Sequence, residues 1–354
     1  MKVPFLELSR TIGIHEDELV DSFRSDLKKC HFINGGSVAL FEEKFSKKIG
    51  TQFCKGTSSG TSALLAILLA LDLPPGTDII VPSFTFGATA TSVLMAGYNP
   101  VFADLSCNSF LIGLREIKQA WTPNTKAVIF VNLFGEYYNT SDLRKLCDER
   151  GAHLLGDCAQ SFGTQYSSDY LASAFSFFPA KNLGCLGDGG AVVTNSEEFI
   201  EKVRVVCRHG CKIKYDYKIL GGNFRLDTIQ ASFLNVLLPY SHEWIEKRRE
   251  NAIYYDKHLQ DIDGITLPKL LVDHSWNQYT LRVINRDKLK VHLDASGVGN
   301  AVYYPRPLHN SKVFDFKGTL KETEKRCKEV ISIPVYPGLL TEEREYIAEK
   351  IRSF

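Results

Sequence analysis

Between residues 54 and 194 the chain alternates short, continuous apolar runs with longer stretches of helical periodicity. The runs DIIVP (78–82), PVFAD (100–104), KAVIFVNL (126–133), HLLGD (153–157), AFSF (174–177) and GAVVTN (190–195) predict strands. The stretches at 61–73, 87–97, 114–121 and 140–151 predict the helices between them. The runs lack the apolar–polar alternation of a half-exposed strand, so both faces of each are expected to be covered. Strands alternating with helices give βαβ units and a mostly parallel central sheet between helices, an α/β fold. Sheets of this kind take ligands at the carboxyl ends of their strands. The polar residues that end the runs, Ser83, Asp104, Asn132 and Asp157, are therefore candidates.

After residue 196 the pattern changes. A helix is expected over 196–208, followed by the polar and aromatic stretch RHGCKIKYDYKILGGNFRLD and a long helical region at about 227–260. The remainder reads as a smaller α+β domain, with strands at 274–284 and 301–305 and a closing helix in TEEREYIAEKIRSF. The boundary falls inside the 227–260 region, giving a large domain over 1–240 and a small C-terminal domain over 241–354.

Composition narrows the field. A length of 354 residues suits more than one domain. With 44% hydrophobic and 23% charged residues the chain has ordinary globular content. A net charge of +1 gives no pull toward nucleic acid or an acidic membrane. The longest apolar run, ALLAILLAL at 63–71, falls well short of the ~20 residues of a membrane span. The start, MKVPFLELSR, has no signal-peptide core. Nine scattered cysteines, an odd number, read as free thiols in a reducing cytoplasm. Cys207 and Cys211 lack a second ligand pair, so no metal site is expected.

Three segments suggest chemistry. GTSSGTSALLA (56–66) is a loop of small residues opening into an apolar helix, where free N–H groups and the helix dipole favour an anion. GDCAQSFG (156–163) sets an acid at a strand end. FSFFPAKNLGCLGDGG (175–190) places Lys181 in an apolar, glycine-bounded run, with Ser176 just before it. Alone, each has a plainer explanation: an ordinary helix cap, a carboxylate capping the next segment, a lysine reaching to solvent. Together they suit pyridoxal phosphate. Its aldehyde needs an amine, its pyridine nitrogen a carboxylate and its phosphate a set of donors. Its ring needs a flat apolar face, which Phe84 or Phe86 in SFTFGATA offers. Burial lowers the basicity of such a lysine.

The sequence resembles the DegT/DnrJ/EryC1/StrS family of sugar aminotransferases, of fold type I among the pyridoxal-phosphate enzymes. The motifs that carry the resemblance include FINGGSVALFEEKFSKKIG, SSGTSAL, DIIVPSFTFGATA, GDCAQSFG, FSFFPAKNLGCLGDGGAVVTN, GGNFRLDTIQA, YYPRPLH and IPVYPGLLTEE, spread nearly end to end. The resemblance implies that Lys181 holds the cofactor through an imine and later shuttles a proton. It implies that Asp157 pairs with the pyridine nitrogen and Gln160 lies near the ring hydroxyl. Ser176 with Gly60, Thr61 and Ser62 would bind the phosphate, and Phe86 would stack on the ring. It implies a homodimer with shared sites, Asn223 reaching the neighbour's phosphate. Tyr304 and His309 would lie near the sugar.

The implied reaction moves an amino group from L-glutamate to a nucleotide-linked keto-deoxysugar, at C3 or C4, with FINGGSVALFEEKF pointing to C3. Such products usually feed bacterial surface polysaccharides, glycoproteins or antibiotics. A sugar dehydratase on the same fold and a non-catalytic regulatory protein are the rival expectations. The retained Lys181 and Asp157 and the scattered cysteines argue against them. The chain departs from the family at three places. Ser62 stands where many members have Asp, and Phe178-Pro179-Ala180-Lys181 replaces Tyr-Pro-Thr-Lys, removing two hydroxyls beside the lysine. The segment between Gly163 and Phe175 is short, which bears on access to the site.

Overall fold

A computed structural model describes residues 1–354. Two helices open the chain, α1 (Glu16–Lys29) and α2 (Gly36–Ile49). The main sheet then alternates with helices: β1 (Phe53–Thr57), α3 (Gly60–Leu71), β2 (Asp78–Pro82), α4 (Gly87–Met95), β3 (Asn99–Ala103), α5 (Leu114–Ala120), β4 (Thr125–Val131), α6 (Ser141–Glu149), β5 (His153–Asp157), β6 (Ala172–Ser176) and β7 (Gly190–Thr194). Next come α7 (Glu197–Val206), α8 (Thr228–Leu237) and α9 (Ser241–Leu259). The last part holds β8 (Ile265–Thr266), β9 (Tyr279–Val283), α10 (Arg286–Ala295), α11 (Lys321–Glu329), β10 (Val330–Ile333) and α12 (Thr341–Arg352).

The strand order β1-β7-β6-β5-β4-β2-β3 explains where a ligand can sit. The five strands β3, β2, β4, β5 and β6 run parallel. From β2 the chain steps outward to β3, then returns to the other side of β2 for β4. That reversal is a topological switch point, where an α/β sheet opens a crevice. β7 runs antiparallel to β6, and β1 antiparallel to β7. Two reversals restore the direction, so β1 ends at the same edge as β5 and β6. The loop that follows β1 is thereby delivered to the ends of both.

Buried positions match the continuous apolar runs. Ile79, Ile80 and Val81 of β2 and Ala127 to Phe130 of β4 have no exposed surface. Helix α3 is apolar on nearly every face and is packed against α4, α7 and strands β6 and β7. A helix of that kind has no solvent side to spare. A second, smaller core gathers Trp276, Tyr279, Leu281, Ile331, Ile347 and Ile351 around the three-stranded sheet β10-β9-β8. Val3 joins this second core, tied by hydrogen bonds to Gly297 and Gly299. Helix α9 serves both cores: Trp244 and Ile245 pack into the large one, Ala252, Tyr255 and Leu259 into the small one.

Several expectations need revision. The 227–260 region is two helices, because Pro239 lies in a tight 3-10 turn over Leu238–Tyr240. Residues 301–305 form no strand; only Ala301 pairs, with Ser332. Strands β1 and β10 and helices α1 and α2 are additions. Phe314, Cys327 and Val330, far along the chain, pack in the large core.

Candidate active site

The loop after β1 is drawn tight against the sheet edge. A Cβ on Gly60 would come 2.8 Å from Ser176 Cβ, and one on Gly190 only 2.4 Å from the Ser59 carbonyl. Glycine at both positions lets the start of α3 touch the ends of β6 and β7. Ser59 caps α3: its Oγ accepts from Ser62 N–H at 3.0 Å and its carbonyl accepts from Ala63 N–H. That leaves the N–H groups of Gly60 and Thr61 free among the first-turn donors. The Ser176 hydroxyl stands beside Gly60 and accepts only a long 3.4 Å bond from Phe178 N–H. The Ser62 hydroxyl is committed elsewhere. It donates to the Ser59 carbonyl at 2.9 Å and accepts from Ser59 N–H at 2.8 Å. Ser62 thus shapes the cap, and the free donors are its two predecessors.

Asp157, at the end of β5, is buried. Thr89 Oγ1 in α4 donates to its Oδ2 at 2.8 Å, and Ala159 N–H to its Oδ1 at 3.2 Å. Burial pushes the carboxyl above its usual range, while Thr89, Ala159 N–H and Lys181 pull it back. Lys181 is half-buried in the loop after β6. Burial lowers its ammonium to about 8, against the opposing pull of Asp157. The residue after it anchors that loop. Asn182 Nδ2 donates to Ser275 O at 2.8 Å and Phe162 O at 3.2 Å, and its Oδ1 accepts from Asn277.

Gln160 bridges the cleft. Its Oε1 accepts from Phe134 N–H at 2.7 Å, and its Nε2 donates to the Tyr304 hydroxyl at 3.4 Å. Burial raises the Tyr304 phenol, so it stays protonated. Phe86, at the start of α4, is 62% exposed with its ring 6.5 Å from that of Tyr304. Phe84 is buried instead, edge-on to Tyr304.

The other strand-end residues do structural work. Asp104 accepts from the N–H groups of Glu322 and Thr323 and so caps α11. Asn132 accepts from the Tyr170 hydroxyl and donates to Glu136 O. His309 is buried, with Nδ1 2.6 Å from Ser83 Oγ and Nε2 3.4 Å from Glu324. Its side chain has no exposed surface. His309 pins the YYPRPLH segment to the residue that follows β2. Asn223 is exposed, bonded to no cleft residue and bridged to Arg208.

The residues present fit pyridoxal phosphate: an amine near neutrality, a buried carboxylate held by two donors, and free N–H groups beside a serine hydroxyl. Thr89, Asn182 and Phe134 were not singled out by the sequence. A mid-helix threonine, an asparagine beside a lysine and a backbone amide carry no local signal.

Known proteins resemble this chain over nearly its whole length. A Geobacillus stearothermophilus protein named pleiotropic regulatory protein is 36% identical over 367 residues, covering 100% of this chain and 99% of that one. The UDP-N-acetyl-3-dehydro-alpha-D-glucosamine 3-aminotransferase of Acidithiobacillus ferrooxidans is 35% identical, covering 99% and 97%. The crystal structure of S. venezuelae DesV in complex with a ketimine intermediate superposes with a TM-score of 0.96 at 32% identity, covering 99% and 98%. The model of the DegT/DnrJ/EryC1/StrS aminotransferase family matches residues 14–352, and the chain belongs to that family.

Proposed function

We propose that this aminotransferase uses pyridoxal phosphate to move an amino group from L-glutamate to a nucleotide-linked keto-deoxysugar, at C3. The observation that carries the reading is Lys181, an amine brought near neutrality by burial and close enough to the buried Asp157 for each to act on the other's charge. The C3 position rests on the 3-aminotransferase among the relatives. When bound, the cofactor supplies an electrophilic carbon and a ring that accepts electron density.

The chain's own residues do the rest. Gly60 and Thr61 N–H and the Ser176 hydroxyl hold the phosphate. Asp157 holds a proton on the ring nitrogen, and Thr89 holds Asp157. Phe86 covers a ring face, and Gln160 meets the ring hydroxyl while fixing Tyr304. Lys181 Nζ would hold the cofactor, and as a free amine it would take the proton from the donor's α-carbon and carry it onward to the cofactor. Positioned proton transfer of this kind contributes about 10²–10⁴-fold.

The protein works as a homodimer in the cytoplasm. The exposed arm between Arg208 and Asn223 carries Ile213, Tyr215, Tyr217 and Leu220 to solvent, apolar surface that a second subunit would cover. Asn223 at its base would then reach the neighbour's phosphate.

The name of one relative favours a second reading, a regulatory protein on this fold. One experiment separates the two: the absorption spectrum with pyridoxal phosphate, before and after L-glutamate. A visible band that glutamate converts to the pyridoxamine form supports the transferase. A band that ignores glutamate points to another donor or to a sugar dehydratase, and no band removes the role given to Lys181.

A further inference from the structure

A cavity of about 350 Å³ lies between the turn after β4 and the β8–β9 side of the small core. That volume falls in the ~300–1,000 Å³ range of small-molecule sites. Of its lining residues only Phe134 touches the Lys181 side, through its N–H to Gln160. Aromatic rings stand between the two. Phe110 and Phe134 line the cavity and meet edge to face at 5.1 Å, with Phe84 packed on both and only then Tyr304.

Lys269, Arg282 and His274 supply donors on the lining, among amides and hydroxyls that can do either. His274 Nδ1 accepts from Trp276 N–H at 2.9 Å, and burial lowers the imidazole to about 3. The ring is therefore neutral with its proton on Nε2, which bonds no other protein group. Arg282 spends Nε on Glu329 and Nη1 on Asn108, leaving Nη2 unbonded. Lys269 is exposed at the rim and forms no ion pair. Gln278 adds an amide. Glu136 is the one acid on the lining; its carboxyl accepts no hydrogen bond, and burial raises it to about 7 against the pull of Lys269.

We propose that this cavity is a binding site for a small hydroxylated oxyanion, a phosphate or carboxylate group on a compact metabolite, separate from the cofactor cleft. Lys269, Arg282 Nη2 and His274 Nε2–H take the anionic oxygens; Gln278 and Asn108 take hydroxyls. Charge-assisted bonds of this sort are the strong ones. The site reaches the cleft through the backbone of one residue. Phe134 O accepts from Gln278 N–H at 3.3 Å on the cavity side, while Phe134 N–H donates to Gln160.

The charged and titratable groups facing Glu136 are Lys269 and His274 from the loop before β9 and Arg282 from β9; the 108–110 segment adds none. Ionised, Glu136 repels an anion. Affinity should therefore fall as pH rises from 6 to 8, by roughly five- to tenfold for a group titrating near 7.

The test is calorimetric titration of the protein saturated with pyridoxal phosphate, using inorganic phosphate and L-malate as probes. Saturation fills the phosphate cradle, and the cofactor's absorption is recorded separately, so failure of the assigned function is seen independently. Submillimolar binding of either probe is expected. The tighter probe tells a phosphorylated from a carboxylated metabolite. Lys269→Ala, on an exposed side chain, should weaken binding at least tenfold. Glu136→Gln should keep binding and remove its pH dependence. No binding by either probe at 10 mM, or binding that neither substitution alters, overturns the proposal.

Discussion

Thr89 Oγ1 donates to Asp157 Oδ2 across 2.8 Å, from the inside of one helix to the end of one strand. Thr85 Oγ1 lies 3.1 Å from the Thr89 hydroxyl and completes the chain. A donor to the carboxylate favours its charged form, and so favours a proton on the ring nitrogen of a bound cofactor. Thr89→Val keeps the shape and deletes the donor. Hydrogen bonds to charged groups are worth about 1.5–3 kcal/mol, so kcat should fall at least tenfold. The absorption of the bound cofactor should show a larger share of unprotonated ring. Unchanged spectra with reduced kcat would assign Thr89 to packing alone.

Lys181 sets a pH dependence. Its folded value, about 8, lies below the ordinary lysine value, so the neutral amine forms at lower pH than in solution. The rate at which apoprotein takes up pyridoxal phosphate should rise with pH up to about 8 and level off above it. Stopped-flow absorbance would show this. A plateau delayed beyond pH 10 would mean that Lys181 is not depressed. Lys181→Ala should lose turnover while circular dichroism stays native.

The sheet was legible because both of its faces are covered. Residues with no solvent face have only one kind of side chain to choose from, and β2 and β5 match their apolar runs residue for residue. Strand β1 escaped because FCKGT carries a lysine. The structure hides Lys55 by pairing it with Glu42 at 2.6 Å, a partner on α2 that no local pattern points to. YYP misled in the other direction: its rings face neighbouring aromatics without a partner strand. In the cleft, Lys181 and Asp157 stood out because charge in an apolar run is costly. His309 stood out for its type, yet its bonds to Ser83 and Glu324 place it in the packing. The 108, 136, 269 and 274 cluster exists only through the tertiary fold.

Gly60 is an economical probe of the phosphate cradle. The contact that a Cβ would meet is Ser176 Cβ at 2.8 Å, backed by Ser176 Cα at 3.3 Å. Neither is the far end of a flexible chain, so α3 and the end of β6 must part. Gly60→Ala should weaken pyridoxal phosphate binding at least tenfold in an equilibrium titration. The fold should persist, since the strain sits at one loop. Native affinity in this variant would remove Gly60 from the cradle.

Ser83 and His309 offer the last prediction, because they separate support from chemistry. Ser83 Oγ lies 2.6 Å from His309 Nδ1 and also accepts from His309 N–H at 3.3 Å, while Ser83 O accepts from Leu308 N–H. Ser83→Ala deletes the two side-chain bonds and leaves buried imidazole and amide groups unpaired. Such a loss costs about 1–3 kcal/mol, which urea denaturation would register as a lower midpoint at unchanged slope. Tyr304 lies five residues before His309 on the same segment and depends on that anchor. The reaction with the sugar should therefore show a raised KM. The half-reaction with the amino donor, for which the proposed groups are Lys181 and Asp157, should keep its rate. Equal loss in both halves would mean that the anchor holds the whole cleft and not only the Tyr304 side.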